Sequence, residues 1–480
     1  MTQTTSPKTA PSRPRRLGRR ALAAATCTSL AATLAASIGL VVLAHSPQPE
    51  LLVGTVDTAA TTRNPVTPGS FKGYAFDQCQ APDQATMNAW MDRSRYLGVG
   101  IYIAGLSRGC RTQKNLNATW VARQLHNGWK LLPLMVGPQA SCNPHFPRYG
   151  DDRRISSQPG KNGTYQRAYD QGLRAASSAV NNAKRLGIVR GSGMYYDLEA
   201  FNTGIARCRN SALRFLSGWT VGIHKAGYRS GVYSSASSGI AALDRARIEH
   251  QPNITLPDQI WIGDWDGKIN TSAGRYISST GWKWHRRIKQ YKGGHNETYG
   301  GKTVNIDRDF VDVGHGLFAP KVAHCGGVNL DLPSYPVFKL AGKRPHVAQI
   351  KAIKCLLRQA HVLTKGNLDG QYGPYLRQAV HQWKTSHHWR ANDAWYREDW
   401  VSLLAAGMNR VVKFGSGNES VRYLQRALDA ANPRLHLAIT GGFDADTRTA
   451  VRAYQKSTHL NQNGVVAAST WQKLARGAMR

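Results

Sequence analysis

The chain has 480 residues, more than one ordinary domain needs, and 41% of them are hydrophobic, enough to build buried cores. It has 63 Lys and Arg residues against 28 Asp and Glu residues, a formal net charge of +35 at pH 7. These values exclude a single small domain and a chain too polar to bury a core. They favour polyanionic partners, either nucleic acid or an anionic cell wall.

The N-terminus carries an export signal. Basic residues between Arg13 and Arg20 precede an uncharged apolar run, Ala21 to Ala44, that ends in small residues typical of a cleavage site. The run is also long enough to span a bilayer, so a cleaved signal peptide and a retained membrane anchor both stay open for residues 1–44. Residues 45–70 are rich in Thr, Pro, Ala and Ser and predict a flexible linker. Export argues against a nucleic acid partner and leaves an anionic cell-wall glycan.

Residues 71–318 predict an α/β domain, a TIM-like (β/α)8 barrel. Short apolar segments bounded by Gly alternate with helical stretches, which is the pattern of a parallel sheet, and the length is typical of such barrels. The eight predicted strands are Lys72–Cys79, Gly98–Gly105, Lys130–Gly137, Ser192–Ala200, Arg229–Ser235, Gln259–Trp265, Trp284–Tyr291 and Thr303–Phe310. The predicted helices are Thr86–Leu97, Leu116–Asn127, Tyr165–Leu186, Arg209–Ala226 and Ser235–Arg247.

Carboxylates close several of these strands. Since the carboxyl ends of barrel strands meet at one mouth, we expect them to share a pocket. The principal candidates are Asp77, which closes the first strand, Asp197 and Glu199, which close the fourth, and Asp307, which closes the eighth. Asp264, which closes the sixth strand, joins them as a substrate-binding candidate. A glycosidase needs such a cluster, with one carboxyl protonating the leaving oxygen and another stabilising or attacking the oxocarbenium-like centre.

Aromatic residues at the same level of the strands could stack on sugar rings. They are Tyr102, Tyr233, Trp261, Trp265 and Tyr291. Barrel packing is the competing interpretation for at least half of them.

The residues of this region resemble a known family. The segments are Phe76-Asp77-x-Cys79, Gly100-Ile101-Tyr102-Ile103, Tyr196-Asp197-Leu198-Glu199, Gly231-Val232-Tyr233-Ser234-Ser235 and Ile260-Trp261-Ile262. They look like the glycoside-hydrolase-like domain of unknown function found in exported bacterial proteins, which is itself similar to family 25 lysozymes. The resemblance implies that Glu199 is the general acid and that Asp197 orients the substrate or stabilises the positive centre. It implies that Asp77 and Asp307 bind and polarise.

Six cysteines follow the export segment, an even number that suggests disulfides in an exported chain. They allow 15 pairings in principle. Cys325 and Cys355 fall outside the barrel and are expected to pair with each other. The other four would pair within it, with Cys79–Cys110 and Cys142–Cys208 as one arrangement. No spacing favours a metal site, and we expect neither metal nor cofactor.

The C-terminal region contains an internal repeat. A shift of 71 residues superposes Ile350, Ile353 and Leu357 on Val421, Leu424 and Leu428, and Trp400 on Trp471, without a gap. The apolar spacing gives one helical face in each copy. Two small all-α domains of three helices each are therefore predicted, at residues 319–407 and 408–480.

The second copy closely resembles the peptidoglycan-binding domain family over residues 412–477. The carrying segments are Gly441-Gly442-Phe443-Asp444-x-x-Thr447 and Tyr454-Gln455, with Thr470-Trp471 after them. The resemblance places a glycan groove near Phe443, Asp444, Thr447, Tyr454 and Gln455, although Phe443 and Tyr454 also suit a core. In the first copy Lys354 and Lys384 replace Gln, so its sugar binding is in question.

Nucleotide-binding enzymes and metalloproteases lack their motifs in this chain. It has no Gly-rich phosphate loop and no His-Glu-x-x-His pair. The sequence thus predicts a multidomain protein of the cell surface or medium, monomeric, that hydrolyses peptidoglycan or a related wall glycan. The alternative is a catalytically silent barrel that binds wall glycan.

Overall fold

A computed structural model describes residues 63–340 and 346–479. The predicted signal or anchor segment, residues 1–44, and most of the predicted linker, residues 45–70, lie outside the described residues. Within the described ranges, no helix is both long enough and apolar enough to cross a membrane.

Eight strands close into a barrel in sequence order. They are β1 (Phe71–Asp77), β2 (Gly98–Ala104), β3 (Lys130–Met135), β4 (Gly193–Asp197), β5 (Arg229–Ser235), β6 (Gln259–Gly263), β7 (Arg286–Tyr299) and β8 (Lys302–Val313). Strands β1 to β7 are parallel to their sequential neighbours, whereas β8 is antiparallel to both β7 and β1. The prediction of a regular (β/α)8 barrel was therefore wrong for the last strand, which is antiparallel to its neighbours.

The reversal has a local cause. Only Gly300 and Gly301 separate β7 from β8, and both have positive φ angles, 56° and 72°. Two such residues form a hairpin turn, whereas a parallel crossover needs a dozen residues or more. As a result Asp307 lies in the middle of β8, opposite Asp77, and not at the strand's carboxyl end.

Helices cover the outside of the barrel between the first six strands. They are α1 (Gln84–Arg93), α2 (Ala118–His126), α3 (Gln166–Arg185), α4 (Ala206–Lys225) and α5 (Ala241–Ile248). Asp83 and Asn117 cap α1 and α2 by accepting hydrogen bonds from Thr86 N and Trp120 N. Between β6 and β7 there is only a single 3₁₀ turn, Gly274–Tyr276. The expected strand–helix alternation therefore stops after β6.

The C-terminal region consists of six helices and a two-stranded sheet, Phe338–Lys339 (β9) with Ala394–Trp395 (β10). The helices are α6 (Val347–Gln359), α7 (Pro374–Ser386), α8 (Arg397–Leu404), α9 (Glu419–Ala431), α10 (Ala445–Ser457) and α11 (Ala468–Ala475). Each helix of the second trio begins 71 or 72 residues after its counterpart in the first. We call α6–α8 the first unit and α9–α11 the second unit.

The two units fasten the turn between their first two helices differently. In the second unit, Gln425 Nε2 donates to Gly442 O at 3.1 Å and to Thr447 Oγ1 at 3.0 Å, and its Oε1 accepts from Gly441 N. In the first unit Lys354 occupies the equivalent position and pairs with Asp369. Both arrangements hold the turn closed, which explains how the fold tolerates Lys in place of Gln.

A buried lysine joins the barrel to the second unit. Lys413 Nζ donates to the carbonyl oxygens of Met91 at 2.5 Å, Ser94 at 3.0 Å and Trp90 at 3.2 Å, at the C-terminal end of α1. A helix C-terminus favours positive charge. Nearby, Arg448 Nη1 donates to Tyr74 Oη at 3.3 Å. The described residues form one compact unit.

Candidate active site and wall-binding surfaces

A cavity of about 240 Å³ at the barrel mouth is lined by carboxyl groups from three strands. Asp77 ends β1, Asp197 ends β4 with Glu199 two residues later, and Asp307 comes from β8. All four predicted catalytic acids therefore line one cavity. Their roles in catalysis stay predictions.

A glutamine that the sequence analysis did not select joins two of these acids. Gln290 Nε2 donates to Asp77 Oδ2 at 2.9 Å and to Asp307 Oδ2 at 3.1 Å. Its Oε1 accepts from Tyr233 Oη and Trp265 Nε1, each at 2.9 Å. The amide thus fixes two acids and two aromatic side chains at once. Its position on β7 directly before Tyr291 was the available signal, but an amide on a strand does not by itself indicate acid catalysis or sugar stacking.

A second glutamine fixes the Asp197–Glu199 backbone. Gln139 is fully buried, its Nε2 donates to Asp197 O at 2.8 Å, and its Oε1 accepts from Glu199 N at 2.8 Å. The two hydrogen bonds therefore fix the backbone that carries the carboxyl groups of Asp197 and Glu199.

Burial is the main cause of the raised pKa of these acids. It raises the pKa of Asp197 well above its usual range, and the charges of Glu199 and Asp77 add to the effect. One carboxyl oxygen of Asp197, Oδ1, is buried without a hydrogen-bond partner among the described residues. Burial likewise raises the pKa of Asp77, which its hydrogen bond from Gln290 partly offsets. Close carboxyl groups with this little solvent cannot all be ionised at neutral pH.

Glu199 and Asp307 lie nearer the opening. Burial raises the pKa of Glu199, while the positive charges of Arg148 and His145 oppose the rise. Arg148 Nη2 lies 3.6 Å from Glu199 Oε1. Burial, followed by the charges of Asp77 and Glu199, raises the pKa of Asp307 to about 7. A carboxyl with a raised pKa can donate a proton near neutral pH, which is the task of a general acid.

The predicted substrate-binding residues separate into two groups. Tyr102 lines the cavity and donates to Asp77 Oδ1 at 3.3 Å, while Tyr233 and Trp265 reach it through Gln290. Trp265 is 65% exposed, and its six-membered ring packs against Gly293, where an added Cβ would lie 2.4 Å from Cη2.

The other three predicted substrate contacts lie elsewhere. Trp261 is fully buried, and its Nε1 donates to Asp309 Oδ1 at 2.9 Å. Tyr291 is buried outside the cavity and accepts from Arg95, and Asp264 lies 3.7 Å from Lys289 Nζ. Along a strand, side chains alternate between the two faces of the sheet. Gln290 faces the mouth, so its neighbours Lys289 and Tyr291 do not, and these placements are corrections to the expected pocket.

Four of the five predicted groove residues of the second unit are buried, and Asp444 is partly exposed. Phe443, Thr447 and Gln455 are each at most 1% exposed. Asp444 caps α10 by accepting from Thr447 N at 2.8 Å, and Tyr454 Oη donates to Ala478 O. These side chains hold the unit together, so their burial argues against the predicted groove.

The turn of the second unit is also covered by the chain that leaves the barrel. Arg422 donates from Nη1 to Pro320 O and from Nη2 to Ala319 O, each at 2.7 Å. A Cβ added to Gly417 would lie 2.3 Å from Phe318 O, so the two backbones are in contact there.

The first unit has an open cavity at the equivalent turn, with a volume of about 380 Å³. Its lining includes Lys354, Lys365, Asn367, Asp369, Gln371 and Tyr375. Tyr375 is 52% exposed. An exposed aromatic face beside polar groups has the chemistry of a sugar-binding groove.

Three disulfides are present, Cys79–Cys110, Cys142–Cys208 and Cys325–Cys355. They are the pairs that the sequence analysis arranged. Across the part of the chain that the structure describes, no group of three or more His, Cys, Asp or Glu side chains could hold a metal ion.

Comparison with known families agrees with this geometry. A profile of the family described as Rv2525c-like, glycoside hydrolase-like domain matches residues 88–311, from α1 into β8. The barrel is an Rv2525c-like glycoside hydrolase-like domain. A profile of the peptidoglycan-binding domain family matches residues 417–474, which contain α9–α11 of the second unit. No curated protein matches the chain.

The chain is also similar to solved structures at low sequence identity. An uncharacterized protein of B. stearothermophilus is 16% identical, with a TM-score of 0.32, over 50% of this chain and 95% of its own. The Tat-secreted protein Rv2525c of Mycobacterium tuberculosis is 14% identical, with a TM-score of 0.33, over 50% of this chain and 95% of its own. The autolysin LytC of Streptococcus pneumoniae is 14% identical, with a TM-score of 0.31, over 50% of this chain and 46% of its own.

Proposed function

We propose that this protein is an exported, wall-targeted glycan hydrolase that cleaves a β-1,4 link of peptidoglycan or a related wall polysaccharide. The observation that carries the proposal is the single cavity lined by Asp77, Asp197, Glu199 and Asp307. The two family matches, one to a glycoside hydrolase-like domain and one to a peptidoglycan-binding domain, support the choice of substrate.

Each acid has a part in this mechanism. Glu199 holds a proton because burial raises the pKa of its carboxyl group, and it gives that proton to the glycosidic oxygen as the bond breaks. The sugar left behind develops positive charge at its anomeric carbon, which favours the ionised form of Asp197 and Asp77 and is stabilised by it. Water then adds to that carbon and returns a proton to the site. Asp307, held with Asp77 by Gln290, binds the sugar hydroxyls.

Wall binding is the second part of the proposal. The open cavity of the first unit supports a glycan site around Tyr375, because the equivalent turn of the second unit is covered by residues 317–320. The second unit then anchors the region to the barrel through Lys413. Six disulfide-bonded cysteines fit a location outside the cytoplasm.

A Glu199→Gln substitution in the full chain tests the hydrolase proposal. Incubated with purified, insoluble cell walls, wild type should release reducing ends, and the variant should release them about 100- to 10,000-fold more slowly because it has lost the general acid. Glu249→Gln is the matched control, since Glu249 is exposed directly after α5 and pairs with Arg245.

The same assay separates the two functions that the sequence left open. If wild type sediments with the walls but releases no more reducing ends than the variant, the barrel is a silent glycan-binding domain. If wild type neither sediments nor cleaves, both functions are excluded for this material.

A further inference from the structure

Arg108, which lines the carboxylate cavity, has no acidic partner. Its Nη1 donates to Tyr102 O and its Nη2 to Arg111 O, each at 3.0 Å. Between residues 63 and 340 and between 346 and 479, no carboxylate forms an ion pair with it, although Arg111 and Arg148 do have acidic partners. Its Nε is buried without a hydrogen-bond partner. Three of the five guanidinium hydrogens are thus unused.

The electrostatic surroundings leave this charge uncompensated. Burial lowers the pKa of Arg108, and the neighbouring positive charge of Arg111 lowers it further. Partly buried charges are ordinarily paired, because removing a charge from water is costly. An unpaired guanidinium beside a second one favours an anionic ligand.

A disulfide holds Arg108 at the site. Cys79, two residues after Asp77, is bonded to Cys110, two residues after Arg108. Gln113 Nε2 adds hydrogen bonds to Cys79 O at 2.7 Å and to Cys110 O at 3.0 Å. The guanidinium is therefore preorganised next to β1, and little ordering remains for a ligand to impose.

Space for a substituent lies on the other side of the arginine. A second cavity of about 430 Å³ shares Arg108 with the carboxylate cavity, and its lining includes Arg153 and Arg174 against one acid, Asp151, which pairs with Arg111. A sugar ring in the first cavity could extend a side group past Arg108 toward this basic surface.

We infer that Arg108 binds a carboxylate carried by the sugar beside the cleaved bond, so that the preferred substrate is an acidic β-1,4-linked amino-sugar glycan. This inference rests on the proposed function and specifies its substrate. A guanidinium matches a carboxylate in shape and can bind it with two parallel hydrogen bonds.

Two tetrasaccharides that differ only in charge test the inference. One is a β-1,4-linked N-acetylglucosamine tetramer, and the other has a lactyl ether carboxylate on alternate sugars. Their affinities are measured calorimetrically on the full chain with Glu199→Gln, which prevents turnover. We expect the acidic ligand to bind more tightly than the neutral one. A second substitution, Arg108→Gln, should weaken binding of the acidic ligand roughly 10- to 100-fold and leave the affinity for the neutral ligand unchanged.

Three comparisons complete the design. Arg123→Gln on α2 removes the same charge from an exposed position that lines neither cavity, and should change neither affinity. Arg108→Lys should restore part of the preference. In the protein that retains Arg108, methyl esterification of the acidic ligand should abolish the preference for it over the neutral ligand. Because this comparison changes only the ligand, a disturbance of the loop by Arg108→Gln cannot explain the result.

Equal affinities for the two ligands, or equal losses on Arg108→Gln, would overturn the inference. A different result would overturn only the hydrolase proposal. If the acidic ligand is preferred as expected but the wild-type protein releases no reducing ends from cell walls, recognition of the carboxylate by Arg108 would stand.

Discussion

Burial at the barrel mouth raises the pKa of carboxyl groups that would be ionised in water at neutral pH. Asp77 and Asp197 are 3% and 5% exposed, and their neighbours in the cavity are acids as well. The folded chain therefore contains carboxyl groups whose surroundings oppose ionisation. Such a cluster is unfavourable for stability at neutral pH and suits proton transfer, the compromise that active sites commonly show.

Asp307 allows that compromise to be measured. Its pKa is about 7 in the fold against an ordinary value of 3.8, so the folded chain keeps this proton between those values while the unfolded chain loses it. Stability conferred by the protonated group is thus present at pH 4 and is lost as pH rises toward 7. We expect Asp307→Asn to raise the free energy of unfolding by about 2 kcal/mol at pH 8 and to change it little at pH 4.

Urea unfolding curves at both pH values provide the measurement. Asp446→Asn, at an exposed acid in the first turn of α10, is the control and should show no such dependence on pH. Equal effects of Asp307→Asn at pH 4 and pH 8 would show that the fold does not raise the pKa of Asp307.

The sequence located the acids better than it located the residues that hold them. Asp77, Asp197 and Glu199 were found because they follow apolar strands, and that rule needs only local pattern. Gln290 and Gln139 escaped it because their partners lie on other strands, at separations of 213 residues for Gln290 with Asp77 and 58 for Gln139 with Asp197. An amide in a strand gives no sign of such contacts until the barrel closes.

At the scale of elements, the last hairpin shows how Asp307 was placed at the cavity despite an incorrect strand direction. Asp307 was selected because it was taken to end a parallel strand. Strand β8 runs the other way, and its middle passes the mouth, where Asp307 lies opposite Asp77. The dipeptide Gly300-Gly301 was the local signal for the reversal, since it leaves no room for a crossover helix.

The spacing of the helical repeat could be predicted from the sequence, but which of its turns is exposed could not. The apolar positions gave a period of 71 residues, and the helices keep it. Which turn would be covered depends on the segment 317–320 that leaves the barrel, and nothing in the repeat encodes that. The exposed groove lies in the first unit, whose sequence fits the peptidoglycan-binding family less well.

Tyr375 tests whether that groove binds the wall. In the full chain with Glu199→Gln, Tyr375→Ala should weaken co-sedimentation with insoluble peptidoglycan by roughly three- to tenfold, because it removes the exposed ring. Binding that remains would come from the barrel.

Trp284→Ala is the matched control for Tyr375→Ala. Trp284 is 82% exposed and lies at the end of the barrel where strands β4 to β7 begin, so its loss should leave sedimentation unchanged. If Trp284→Ala alone weakens sedimentation, the contact with the wall lies at that end of the barrel and not at Tyr375.

Over the whole molecule, contacts between regions hold the barrel and the helical units together. Lys413 donates to three carbonyl oxygens at the end of α1, and Phe414 packs against both hydrophobic cores. A barrel joined in this way to a wall-binding unit would act on glycan near the point of attachment.

The central claim is that a glycan chain lies among the four acids with its glycosidic oxygen at Glu199. A crystal structure of the Glu199→Gln variant with a bound tetrasaccharide measures this directly. We predict a sugar ring in contact with Asp77, Asp197 and Asp307, and the glycosidic oxygen about 3 Å from the substituted side chain. A tetrasaccharide bound only outside this cavity, with the four acids closed off from it, would contradict the account.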